Sequence, residues 1–292
     1  MADKPSRALV LYGYGLAPLI TPSHHHIHAV ASKGSCGFLA LDDSSPTPVD
    51  IEDEKIIREL QQLLDANEAS ESSMQVSTMK ESRFMGMKAA LVTHSPTVKC
   101  FGEKLGFTVL DIQSADVAAD ELLKLLGFQY GKAVDTDYFD LVFAHIGAHV
   151  KESSQNDLDY ANIVVGKILE VAQPGSEIAS RLHLTLIMSY GAVVADNPNQ
   201  SLFSLYGGNN TNLQSIFPRQ SYTLKGVVPR NGIRHHCPIL IAQWQDAVTR
   251  KDMAQEFSFS EFKKNCGNLA IAADRFFYEI AFKLWKAPKY GA

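Results

Sequence analysis

Residues Arg7–Leu41 read RALVLYGYGLAPLITPSHHHIHAVASKGSCGFLAL, and the fold is decided here. The stretch opens on Ala8-Leu9-Val10-Leu11-Tyr12, a short apolar run of the kind that forms a buried strand. Gly13 and Gly15 break that run. Ser23 is placed to cap a helix from His24 to Lys33, which Gly34 would end. Four of the 10 histidines, His24, His25, His26 and His28, stand at the helix start. His24 and His28 are one turn apart and share a face, the spacing of a metal-ligating pair. A strand, a glycine turn and a helix bearing polar groups make the layout of an α/β ligand site. The competing reading is a solvated, histidine-rich turn. An engineered tag is a poor description, because the run is internal and Ile27 interrupts it.

Outward from this stretch, strands and helices alternate. Asp42–Val49 (DDSSPTPV) is a turn-rich loop, and Ile51–Ala66 reads as a helix. Its stripe is Ile56, Ile57, Leu60, Leu63 and Leu64, with Glu52, Asp53 and Glu54 favouring the N-terminus. Glu68–Arg83 is polar and aperiodic, which predicts an exposed, mobile loop. Lys88–Val92 is the second predicted strand, and Ser95-Pro96 starts the helix that stops near Gly106. Phe107–Ile112 is a strand, Ala115–Leu126 a helix, and Asp140–Ile146 a strand. Asp157–Val171 is a helix, and Leu182–Met188 and Ile239–Ala242 are the last two strands. A hairpin is expected around Tyr222–Val227, and Phe259–Lys286 reads as one long helix. The alternation implies an α/β fold, a mostly parallel sheet with helices on both faces. The expected organisation is a single domain over 1–292. Residues 42–83 form a short insertion with its mobile loop, and 243–292 form a C-terminal helical addition.

Composition narrows the class. The chain has 292 residues, 46% hydrophobic and 20% charged, as globular proteins do. A net charge of -5 without a basic run argues against a nucleic-acid partner. No apolar stretch is long enough for a membrane span. The start, MADKPSR, lacks the apolar core of a signal peptide. Cys36, Cys100, Cys237 and Cys266 are widely spaced and form no CxxC pair. These features point to a reduced, cytoplasmic setting. Cys36 and Cys100 flank core segments and read as buried small hydrophobes.

Open α/β sheets bind ligands outside the carboxyl ends of their strands. Those ends carry Tyr12 and Tyr14, Thr93 and His94, His145 and His149, and Ser189 and Tyr190, with His235 and His236 just before the sixth strand. Most of the histidines therefore converge on one edge. His183, inside a strand, reads as a core histidine. The candidate metal set is His24, His28, His145, His149 and His235, with zinc the metal such imidazoles favour. The candidate binding set is Tyr12, His26, His94, Ser189, Tyr190 and His236. No GxSxG, P-loop or GxGxxG is present.

Several segments, taken in order, resemble the alkaline phosphatase superfamily, in particular cofactor-independent phosphoglycerate mutases of the archaeal type. His26–Gly34 is similar to that family's N-L-D-x-L-A-x-x-G helix, and Thr21-Pro22 to its preceding T-P. Met87–Val92 with Gly106-Phe107 is similar to the strand–helix–strand after the family's inserted domain. Phe143–His149 (FAHIGAH) resembles its V-H-I-E-A-P-D segment, and Ile187–Gly191 falls where the family has a strand ending in D-H. His235–Ile241 (HHCPILI) resembles its H-x-x-x-P-V-P-F strand. The resemblance implies an alkaline-phosphatase-like core lacking the inserted domain. It also implies a two-metal site that this chain has lost. Tyr12 stands for the first-strand metal aspartate, Ser189-Tyr190 for the Asp-His pair, and Gly147 and His149 for acidic residues. The nucleophile segment has no counterpart. Ser44, Ser45 and Thr47 lie near its place, in a proline-containing loop where such residues form turns. The expectation is a diverged, non-catalytic domain with a binding or scaffold role, its partner a small phosphorylated molecule or a protein. The alternative is an active metal-dependent phosphohydrolase or phosphotransferase with a rebuilt histidine-rich site.

Overall fold

The apolar run after Arg7 lies at the centre of an eight-stranded sheet. The computed structural model describes residues 6–42, 52–66, 84–112, 115–134, 138–147, 154–191, 211–217, 223–225, 228–267 and 269–288. The sheet strands are β1 (Arg7–Gly13), β2 (Ser35–Ala40), β3 (Ala89–Val92), β4 (Thr108–Leu110), β5 (Leu141–Ile146), β6 (Leu182–Met188), β7 (Ile239–Trp244) and β8 (Leu269–Ala272). Their order is β8-β2-β7-β6-β1-β5-β3-β4. β1 pairs in parallel with β5 and β6, and β7 alone runs against its neighbours. All seven residues of β1 are buried, which is why it reads as an unbroken apolar run rather than an alternating one.

The helices are α1 (His25–Lys33), α2 (Glu52–Leu63), α3 (Pro96–Leu105), α4 (Ala115–Leu125), α5 (Ser154–Val171), α6 (Glu177–Arg181), α7 (Phe259–Asn265) and α8 (Phe276–Lys283). Leu9, Leu11, Val142, Ala144, Leu184 and Leu186 face one layer, made by α1, α4, α5 and α7. Ala8, Val10, Tyr12, Phe143 and Ile187 face the other, made by α2, α3 and α8. Each such large apolar side chain contributes about 1.5–3 kcal/mol by leaving water. Arg7 is buried at the start of β1, and its guanidinium donates to the carbonyls of Leu126, Gly127 and Val134 at 2.7–3.0 Å. β1 is thereby tied to the chain that leaves α4.

Ser95 caps α3 by accepting from Val98 N–H, Pro96 occupies its first turn, and Gly106 ends it at φ 94°. The hairpin near 222–227 is present, pairing Leu224–Lys225 with Val228–Pro229. Four readings are corrected. Ser23 does not cap α1; His24 holds that position without a side-chain bond to the first helical turn, and the Ser23 hydroxyl pairs with that of Thr21. Ser35–Ala40, not anticipated as a strand, is β2, an inner strand. The long C-terminal helix is instead α7, then β8, then α8, because the chain leaves α7 at Cys266-Gly267 and pairs with β2. Cys36 is buried as expected, but Cys100 is exposed. The loop predicted at Glu68–Arg83, residues Ser44, Ser45 and Thr47, and His149 all lie outside the described residues. No helix among the described residues is long and apolar enough to cross a membrane.

Candidate functional site

Parallel strands with short final turns bring their carboxyl ends to one edge. Register pairs Tyr12 with His145, and Gly13 with both Ile146 and Met188, so Ser189 follows immediately at the same edge. Tyr12, His145 and Ser189, distant in sequence, are therefore neighbours, as the strand-end reading required.

Their contacts form a closed polar network beneath α2. The Tyr12 hydroxyl donates to Glu59 Oε1 at 2.7 Å. Glu59 is 5% exposed, and Tyr12 is fully buried. Ser189 Oγ accepts from the backbone N–H groups of Gly15 (3.1 Å) and Gly191 (3.2 Å), and its hydroxyl acts on both the Tyr12 phenol and the Glu59 carboxyl. Arg234, from the segment before β7, places its positive charge toward Glu59 and donates to Cys237 O at 3.0 Å. Burial raises the Glu59 carboxyl above its ordinary value, against the opposing pull of Arg234, Tyr12 and Ser189. Burial, and then the Glu59 charge, push the Tyr12 phenol well up, so it stays protonated and serves as a donor. His145 closes the network on its β3 side. Its Nδ1 lies 2.9 Å from Thr93 Oγ1, and its ring centroid is 5.7 Å from that of Tyr12.

The other sequence candidates have separate engagements. His24 Nδ1 accepts from Thr21 N–H at 2.9 Å, and its Nε2 faces Asp159 at 3.2 Å. His28 Nδ1 accepts from Phe257 N–H at 2.9 Å, and its Nε2 donates to Thr21 O at 3.0 Å. Both imidazoles thus pin the entry to α1 against its neighbours. The His26 ring lies against Gly166, where a Cβ would come within 2.6 Å of it. His94 Nδ1 is 2.6 Å from Asp111, which Lys99 also holds. His236 is exposed beside a bridge to Asn212, and the His235 carbonyl accepts from Leu213 N–H. Burial raises the Tyr190 phenol. His183 is a core residue, held well below its ordinary pKa by burial and then by the Lys283 charge.

The four described histidines of the candidate metal set, His24, His28, His145 and His235, do not form a common metal-binding group. Among the described residues, no three His, Cys, Asp or Glu side chains are grouped to hold a metal ion. The donors at the strand ends do not fit a divalent cation either. The Glu59 carboxyl already accepts the Tyr12 hydroxyl hydrogen, and the Arg234 charge acts on it where a second positive charge would be repelled. Glu59 and Arg234 escaped the sequence reading. A signal for Glu59 existed, because it is three residues after Ile56 and four before Leu63, a carboxylate on an apolar helix stripe. On the opposite face of the same edge lies a cleft of about 320 Å³. Leu11, Val92 and Ala144 line its floor, and His94, Asn156 and Tyr160 are among its polar walls.

No family model and no curated protein matches the chain. Solved structures do. The PH0037 protein from Pyrococcus horikoshii is 12% identical, with 99% of both chains covered and a TM-score of 0.55. The lipoteichoic acid synthase LtaP from Listeria monocytogenes is 9% identical over 99% of this chain and 74% of that one, with a TM-score of 0.53. The fold is alkaline-phosphatase-like. A protein in the alkaline phosphatase superfamily from Vibrio parahaemolyticus is also similar, at 10% identity over 85% of this chain and 62% of that one, TM-score 0.46. At such identities the likeness is one of fold, and the chemistry of an alkaline-phosphatase-like fold must be argued from its strand ends.

Proposed function

We propose that this chain is a diverged alkaline-phosphatase-like domain that binds a partner without catalysing phosphoryl transfer. The observation that carries the reading is the buried Tyr12–Glu59 bond with its Ser189 and Arg234 neighbours. In the family the chain resembles, the same strand ends hold carboxylates for two metal ions. Phosphoryl transfer is mostly charge stabilisation and positioning, so a site whose charges satisfy one another has little left to offer a transferring phosphoryl group. The cleft supports a binding role, its volume of about 320 Å³ falling at the lower end of small-ligand sites. A small phosphorylated molecule is the first ligand class to test, with a protein partner the other.

The test is turnover of phosphomonoesters, phosphodiesters and phosphoglycerate by purified protein in zinc, manganese or magnesium. No metal-dependent turnover above background is expected. Robust turnover in the wild type, abolished in the folded His28→Ala/His145→Ala variant, would establish the histidine-rich enzyme instead.

A further inference from the structure

Cys36 and Cys266 are 230 positions apart in sequence, yet one corner of the fold brings them together. Cys36 is the second residue of β2 and points into the core. Cys266 is the C-cap of α7, and the chain continues from it into β8. β8 pairs with β2 in parallel, and its first residue, Leu269, lies opposite Gly37, the neighbour of Cys36. Cys36 belongs to a buried apolar cluster, and Cys266, partly buried, packs against the same cluster. The Cys266 thiol exerts the largest influence on the Cys36 thiol, whose Sγ lies 3.5 Å from Ala31 O.

A charged frame surrounds the pair. The Cys36 N–H donates to Asp252 Oδ2 at 2.9 Å, and Arg250 Nε binds Asp252 Oδ1 at 2.7 Å. The Arg250 guanidinium packs over Gly267, where an added Cβ would come within 2.4 Å of it. The neighbouring backbone is fixed, with Met253 N–H donating to Asn265 O at 3.1 Å. The Cys266 thiol, and then burial, push the Cys36 thiol well up, so it is not the thiol that reacts first. Cys266 is half-buried and more accessible.

We propose that Cys36 and Cys266 are a reversible oxidation site, a thiol pair that a hydroperoxide converts to a disulfide stapling β8 to β2. The Cys266 thiolate attacks the O–O bond, becoming a sulfenic acid, and the leaving alkoxide takes up a proton and departs as an alcohol (water, if the oxidant is hydrogen peroxide). The Cys36 sulfur then attacks the Cys266 sulfur. An S–S bond forms, the S–O bond breaks, and the hydroxide leaves as water with the Cys36 proton. Two electrons pass from the thiol pair to the peroxide.

The experiment compares reduced and hydrogen-peroxide-treated protein. Thiols are counted in denaturant, and unreduced digests are mapped by mass spectrometry. Two of the 4 thiols are expected to disappear, with a peptide joining Cys36 to Cys266, and dithiothreitol should restore them. The thermal midpoint should rise by about 5 °C, since closing a long loop restrains the unfolded chain. Cys266→Ala should keep its remaining thiols under the same treatment. The proposal fails if the wild type keeps all its thiols, if the link involves Cys100 or Cys237, or if Cys266 stops at a single-sulfur oxidation product.

Discussion

A phenol and a carboxylate bury one another at the end of β1, and in the function proposed above that pair stands where a metal site would be. Tyr12→Phe removes the hydrogen that Glu59 accepts at 2.7 Å and leaves a buried carboxyl oxygen short of a partner. A loss of about 1–3 kcal/mol is expected, read by urea denaturation at neutral pH. A loss below about 0.5 kcal/mol would show that the bond carries nothing. Glu59 also sets a pH dependence. Burial raises its folded-state pKa, so the folded protein holds the proton at pH values where the unfolded chain has lost it. Stability is therefore greater at the acid end of that window and falls as pH rises through the folded pKa. Glu59→Gln cannot release a proton, and its stability profile should be flatter above the ordinary carboxyl range than that of the wild type. Profiles with the same slope would contradict a raised Glu59 pKa. Tyr12, His145 and Ser189 were legible as strand-end residues because a parallel sheet has only one carboxyl edge. Arg234 was not, because nothing local in the sequence reports that the segment before β7 pairs with Leu41 and Asp42 after β2.

Among the elements, β2 and β8 show where periodicity fails. Ser35–Ala40 carries a glycine at its centre and follows a helix directly, so it reads as that helix's trailing coil. Gly37 has a physical reason to be there. A Cβ on it would lie 2.5 Å from the Leu269 carbonyl oxygen, backbone that can only yield by moving β8. Gly37→Ala should cost about 1–3 kcal/mol and speed amide exchange across Leu269–Ala272. Wild-type stability with unchanged exchange would show that β8 tolerates the displacement. The tail was misread for a related reason. Leu269-Ala-Ile-Ala is compatible with either period, and its helical flanks decide for helix unless the pairing partner is known. α3 shows the opposite case. Its cap serine, first-turn proline and closing glycine act locally, so its ends were readable from sequence alone.

For the whole molecule, alternation of apolar runs with amphipathic helices was enough to reach the α/β class and the alkaline-phosphatase-like likeness. It could not supply the strand order that makes β7 an antiparallel inner strand, because pairing is a long-range property. The histidines illustrate the same limit. His24 and His28 share a helix face as their spacing says, but Thr21, Phe257 and Asp159 take up their ring nitrogens. Spacing places side chains on a face and leaves open what that face meets. In the function proposed above, the strand ends form a polar network in place of a metal centre. Elemental analysis of protein produced in zinc- and manganese-supplemented medium, then desalted without chelator, tests it most directly. The network predicts less than about 0.1 metal ion per chain, because the facing guanidinium and the occupied carboxylate leave no divalent site of useful affinity. One or two tightly held zinc or manganese ions per chain, lost on substituting His145 or Glu59, would contradict it.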